Sequence, residues 1–196
     1  WCPPGATAFA SGRIAYKSMN DQQRECCLNS LVHYLPKPFE TTYQLKNSEN
    51  GLRVVDSKSE ALYEIGRESP GVPFSDPDAQ RYPLVWTCPD TGCQALMPHP
   101  RCLAVLELAQ RGRRNSRAST ESRMLIESLM LPAVSSDQVY VHDWKEGDLV
   151  IWNNRSVWHS ATGRLASESR RVMHLTAFNA GRPPKCFPQS GLSNIA

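Results

Sequence analysis

The chain has 196 residues, 40% of them hydrophobic, and a formal net charge of +3 at pH 7. That length can bury a real core in one domain, and so small a charge, carried by scattered basic residues, argues against a nucleic-acid partner. No apolar run approaches the roughly 18 residues of a membrane span, and Trp1 is followed by neither the charged nor the apolar region of a signal peptide.

Trp1 to Ser11 is rich in Pro and Gly and then becomes extended, with a break at Ser11-Gly12. Arg13 to Met19 reads as a short helix with Ile14, Ala15 and Tyr16 packed and Lys17 wet. Asn20 has the chemistry of an N-cap for a helix from Asp21 to Leu31, with Asp21 at its positive end and Cys27, Leu28, Leu31 and Val32 as its apolar stripe. His33 is expected at the end of that helix, as a surface or capping residue. Residues 35–80 are rich in Pro, Ser, Glu and Asp without a sustained period, which fits a covering insert. Tyr82 to Cys88 and Cys93 to Met97 read as two strands. Pro89-Asp90-Thr91-Gly92 joins them, with Pro presetting one φ and Gly permitting a positive one. His99 precedes Pro100 and is pushed toward extended geometry.

Cys102 to Gln110 carries Leu103, Leu106 and Leu108, read as a packing helix. Arg111, Arg113, Arg114 and Arg117 sit among Gly, Asn and Ser and read as a solvated loop. A helix starts at Ser119, buries Met124, Leu125, Leu129 and Met130, and ends at Pro132. Val139 to Trp144 reads as a strand leading to a turn at Gly147-Asp148. Leu149 to Trp152 is then a short apolar strand, His159 lies in a second extended piece, and Val172 to Phe178 is a last strand. Seven cysteines, an odd number without paired CxxC spacing, suggest reduced thiols in an intracellular compartment rather than a disulfide framework or a zinc site. No G-x-S-x-G elbow supports a serine hydrolase.

The run G-D-L-V-I-W-N-N-R from Gly147, His159, and R-R-V-M-H from Arg170 together resemble the closing segment of the Fe(II)/2-oxoglutarate-dependent dioxygenases of the TauD/TfdA family. Gly5 to Ser11, Tyr82 to Val85, Pro89 to Gly92 and Ala95-Leu96 resemble it too. T-A-F-x-S-G from Thr7 and V-Y-x-H-D-W from Val139 are most similar to its fungal xanthine dioxygenase-type branch. The resemblance runs with gaps from about residue 3 to 183.

It implies a mainly β fold with packed helices, a double-stranded β-helix or jelly roll. Residues 1–196 would form a single domain, the C-terminal portion of such a barrel and incomplete because its early strands are missing. It implies Fe(II) and 2-oxoglutarate, with O2 and a small-molecule substrate as partners, and no nucleic acid or membrane. His159 matches the late histidine of a two-histidine, one-carboxylate iron site. Arg171 matches the arginine that holds the far carboxylate of 2-oxoglutarate, a task for a planar guanidinium fork. Thr7 matches a threonine whose hydroxyl reaches the same carboxylate. His159 and Arg171 are 171 − 159 = 12 residues apart.

Two departures qualify what the resemblance implies. No His is followed two places later by Asp or Glu; His142-Asp143 is adjacent, so on a strand the two side chains face opposite ways. The missing pair would fall before residue 1, and the start at Trp1 reads as a fragment or a processed chain. The other departure is Leu175, four residues after Arg171, where taurine dioxygenase-like members carry an arginine for an anionic substrate. Leucine there favours a neutral or heterocyclic one, while His174 on the other strand face reads as structural. Two readings stay open: a dioxygenase that hydroxylates a small molecule, or a non-catalytic binding module. Exposed sheet edges would favour self-association.

Overall fold

The computed structural model describes residues 5–34, 80–110, 113–117, 119–162, 172–178 and 181–186. The elements are β1 (Thr7–Ser11), α1 (Gly12–Ser18), α2 (Asp21–Leu28), β2 (Leu31–Tyr34), β3 (Gln80–Pro83), β4 (Val85–Thr87), β5 (Gln94–Leu96), β6 (Leu103–Gln110), β7 (Arg113–Arg117), α3 (Ser119–Met130), β8 (Tyr140–His142) and β9 (Val157–Ala161). The strands form three antiparallel groups: β8-β1-β9, β3-β2-β6-β7 and the hairpin β4-β5.

Local chemistry sets several boundaries. Asn20 caps α2 in a reciprocal box: its side chain accepts from the Gln23 amide, and the Gln23 side chain accepts from the Asn20 amide. The β4-β5 hairpin turns through Gly92 at φ 65, the left-handed conformation expected from Pro-Asp-Thr-Gly. β1 runs straight into α1, and the joint works because residue 12 has no side chain. A Cβ on Gly12 would stand 2.3 Å from the Leu96 carbonyl oxygen and 2.7 Å from Met97 Sδ.

The core lies between the four-stranded sheet and the helices. Val32, Leu106 and Leu108 from that sheet meet Leu84, Val85 and Leu96, with Ala15 and Met19 at α1 and Ile126, Leu129 and Met130 from α3. Burying side chains of this size is the main stabilising term, about 1.5–3 kcal/mol for each full burial.

Several expectations are corrected. Residues 102–110 do not form a helix: Leu103–Gln110 is the strand β6, paired to both β2 and β7. Its apolar residues are compatible with either period, and pairing on both sides decides for the strand. The helix expected to reach Leu31 stops at Leu28, and His33 lies buried in β2 rather than at a helix end. Its Nε2 stands 2.6 Å from Glu107 Oε1, and Arg81 donates to Glu107 Oε2 at 3.1 Å. Burying His33 and Glu107 is tolerable because they satisfy one another, with the exposed Arg81 adding a donor. Arg113–Arg117 is strand β7, not a loop. Met124 is 64% exposed rather than buried, and Ile126 takes the core position instead.

Leu149 to Trp152 and Val172 to Phe178 form no strand, because neither run finds a ladder partner among the described residues. The insert at 35–80 lies outside the described residues except for Gln80, which opens β3.

Candidate functional site

The sheet β8-β1-β9 assembles the residues that matter. Its register sets Thr7 opposite His142 on one side and Ala161 on the other, and Phe9 opposite Tyr140 and His159. Paired residues share a face, as do residues two apart on one strand. Thr7, Phe9, Tyr140, His142 and His159 therefore all stand on one side of this sheet. The β1-β9 ladder extends beyond Thr7 through Gly5 and Thr162, the amide of each end reaching across at 2.8 Å.

His159 sits in an aromatic setting. Its ring centroid is 4.9 Å from that of Trp152 and 6.3 Å from that of Phe9, and Phe9 meets Trp152 edge-on at 5.3 Å. Although His159 as a whole is exposed, desolvation on the side covered by these rings lowers the imidazole pKa from its usual 6.5 by disfavouring the cation. The ring is thus biased to the neutral form, the form able to ligate a metal.

Thr7 is the diagonal neighbour of His159 across the β1-β9 pair. Its Oγ1 accepts a hydrogen bond from Trp144 Nε1 at 2.9 Å. Trp144 in turn meets the His142 ring edge-on, with centroids 4.5 Å apart. His142 is held at both nitrogens: Nε2 lies 3.0 Å from Asp148 Oδ2, and Nδ1 lies 3.0 Å from the Tyr140 hydroxyl. Asp148 also accepts from the Lys145 amide at 2.9 Å, closing the turn. That backbone bond, with help from His142, holds the Asp148 carboxyl below its usual pKa of 3.8.

Of the three residues singled out from sequence, Thr7 and His159 lie together and Arg171 lies outside the described residues. Leu175 is described and exposed, in a segment without regular structure. Sequence reading missed His142 and Trp144 as neighbours of Thr7, and Asp148 as the partner of His142. A signal was present, since His142 and Trp144 alternate and Asp148 follows across a Gly turn.

His159 fits one nitrogen position of a mononuclear iron site. Among the described residues no group of three His, Cys, Asp or Glu side chains could hold a metal, so they complete no such site by themselves.

A family described as "Taurine catabolism dioxygenase TauD, TfdA family" matches residues 4–177, a span that includes Thr7, Trp144, His159 and Arg171. The chain belongs to the TauD/TfdA family. It is 30% identical over 184 residues to the alpha-ketoglutarate-dependent xanthine dioxygenase xan1 of Schizosaccharomyces pombe, covering 93% of this chain and 43% of that relative. It is 33% identical over 170 residues to the alpha-ketoglutarate-dependent xanthine dioxygenase xan-1 of Neurospora crassa, covering 87% of this chain and 39% of that relative. The chain thus spans less than half the length of these TauD/TfdA relatives. The crystal structure of AAD-2 in complex with Mn(II) and N-oxalylglycine aligns with a TM-score of 0.58 at 22% identity, over 89% of this chain and 57% of that one. This likeness concerns the fold: small antiparallel sheets with few helices. Among the described residues no helix is long and apolar enough to cross a membrane.

Proposed function

We propose that the protein is an Fe(II)- and 2-oxoglutarate-dependent dioxygenase that hydroxylates a small, uncharged organic substrate, with residues 1–196 as a single domain built as part of a double-stranded β-helix. The observation that carries this reading is the β1-β9 register, which sets Thr7 and His159 on one face as diagonal neighbours. A hydroxyl donor for a carboxylate and a neutral imidazole for a metal stand side by side there. His159 is the iron ligand from this part of the chain; Thr7 and Arg171 hold the far carboxylate of 2-oxoglutarate. Iron, once bound, supplies the activation of O2 that couples decarboxylation of 2-oxoglutarate to substrate oxidation.

The chain's own residues bind and orient. Phe9 and Trp152 keep the His159 ring partly dry, which favours its neutral state and fixes its plane. The Thr7 hydroxyl, which accepts from Trp144, would donate its hydrogen to the far carboxylate of 2-oxoglutarate. Relatives described as xanthine dioxygenases, together with a leucine at position 175, support a flat heterocycle over a sulfonate. Cys26, Cys27, Cys88 and Cys93 are free thiols, which supports an intracellular setting.

The test is succinate formation from 2-oxoglutarate by the Fe(II)-loaded protein across a panel of neutral heterocycles. His159→Ala and Arg171→Ala are each expected to lower turnover by at least 100-fold. No succinate with any substrate would remove the proposal.

A second reading, a non-catalytic binding module, is favoured by one specific feature: the 196 residues contain no His-x-Asp or His-x-Glu. Calorimetry with Fe(II) and 2-oxoglutarate separates the two. Tight uptake of one iron per chain excludes the module, unless another chain contributes ligands.

A further inference from the structure

We infer that Trp144 is a positioning residue for 2-oxoglutarate: its indole N–H fixes the Thr7 hydroxyl as a donor aimed at the keto acid's far carboxylate. The inference rests on the functional reading above and adds to it a residue and a cause.

The physical step is short. A threonine hydroxyl has one hydrogen and two acceptor lone pairs, and its hydrogen rotates to suit its partners. An indole N–H can only donate. The bond from Trp144 Nε1 to Thr7 Oγ1, at 2.9 Å and partly buried, therefore occupies a lone pair and turns the hydroxyl hydrogen away from Trp144. The hydrogen is left for an acceptor elsewhere around Oγ1. A carboxylate suits it: hydrogen bonds to charged acceptors are the strong ones. Without the indole donor, the hydroxyl would also sample rotors that point away from the ligand.

The arrangement behind Trp144 keeps the indole in place. His142 meets its ring edge-on. His142 is gripped at both ring nitrogens, Nε2 at 3.0 Å from Asp148 Oδ2 and Nδ1 at 3.0 Å from the Tyr140 hydroxyl, which fixes its ring against the indole. Asp148 is itself tied to the Lys145 amide. The chain of contacts thus runs from the turn at Asp148 through His142 and Trp144 to Thr7. It gives a physical reason for the spacing of His142, Trp144 and Asp148 in the sequence.

The experiment is a double-mutant cycle on the dissociation constant for 2-oxoglutarate, measured anaerobically on the Fe(II)-loaded protein. Trp144→Phe keeps the packing and removes the donor; it is expected to weaken binding about three- to ten-fold, and Thr7→Val about ten-fold, as fits loss of a charge-assisted bond. In the Thr7→Val background, Trp144→Phe is expected to have no further effect. Thr7→Ser keeps a hydroxyl and should keep the sensitivity to Trp144→Phe. For 2-oxovalerate, which lacks the far carboxylate, Trp144→Phe should change little.

A second readout does not depend on ligand. The Trp144 indole N–H resonance should shift in Thr7→Val and return toward its original position in Thr7→Ser. Independent effects of the two substitutions on 2-oxoglutarate binding, or an unmoved indole resonance, would overturn the relay and leave the functional proposal standing. Failure of the unsubstituted protein to take up 2-oxoglutarate would overturn both.

Discussion

Cys27 and Cys88 carry the same thiol into opposite surroundings. Cys27 is buried in the last turn of α2, and burial pushes its pKa up to about 12, with Cys26 and Cys186 adding to the effect. Cys88 stands at the start of the β4-β5 turn, where bonds from Thr91 lower its pKa from the usual 9.0. Thiolate is the reactive form. Iodoacetamide at pH 7.5 should therefore label Cys88 well before Cys27, as mapped by peptide mass spectrometry. Equal labelling rates would contradict the burial assigned to α2. Asp148 makes a second residue-level test. Its pKa is depressed in the folded chain, so its contribution is present above the usual value and is lost as pH falls through the folded one. The turn from Lys145 to Asp148 should hold at pH 5 and loosen only below about 3.8. The Lys145 amide shift followed through an acid titration reads this directly.

Among elements, local signals were legible and long-range pairing was not. The N-cap at Asn20, the β4-β5 hairpin with its left-handed Gly92, and the helix from Ser119 are each set by a few neighbouring residues. The strand β6 was read as a helix because its leucines suit either period, and only its two partner strands decide. For the same reason His33, Glu107 and Arg81, far apart in sequence, could not be seen as one cluster around the buried Glu107. Thr7 and His159 each carry a motif in the sequence, but their diagonal pairing, and the hydrogen bond from Trp144 that spans 137 residues, come only with the fold. Gly12 tests whether packing governs the joint of β1 and α1. Its missing Cβ lets α1 approach β5 against the Leu96 backbone, which cannot rotate aside as a side chain could. Gly12→Ala should lower stability by about 1–3 kcal/mol despite alanine's better helix propensity, as for other overpacked sites. An unchanged or raised unfolding midpoint in urea would show that the contact yields.

On the scale of the whole molecule, several large apolar residues lack cover. Leu149, Ile151 and Phe178 are 83%, 86% and 95% exposed, and Val172 and Leu175 are exposed as well. All five lie in the two runs whose apolar character reads as strand but which have no ladder partner among the described residues. A strand-like run with unpaired amides and apolar side chains is a template for pairing with another chain. The 196-residue chain in isolation should therefore associate. Light scattering behind a sizing column is expected to give a mass above the monomer that rises with concentration. Replacing Leu149 and Ile151 together by lysine should shift it back toward 22.0 kDa, since charge on such an edge opposes pairing. Neither side chain belongs to the buried core, so the double variant should keep its melting midpoint. A concentration-independent monomer for the unsubstituted chain would mean that these residues are covered within a single copy.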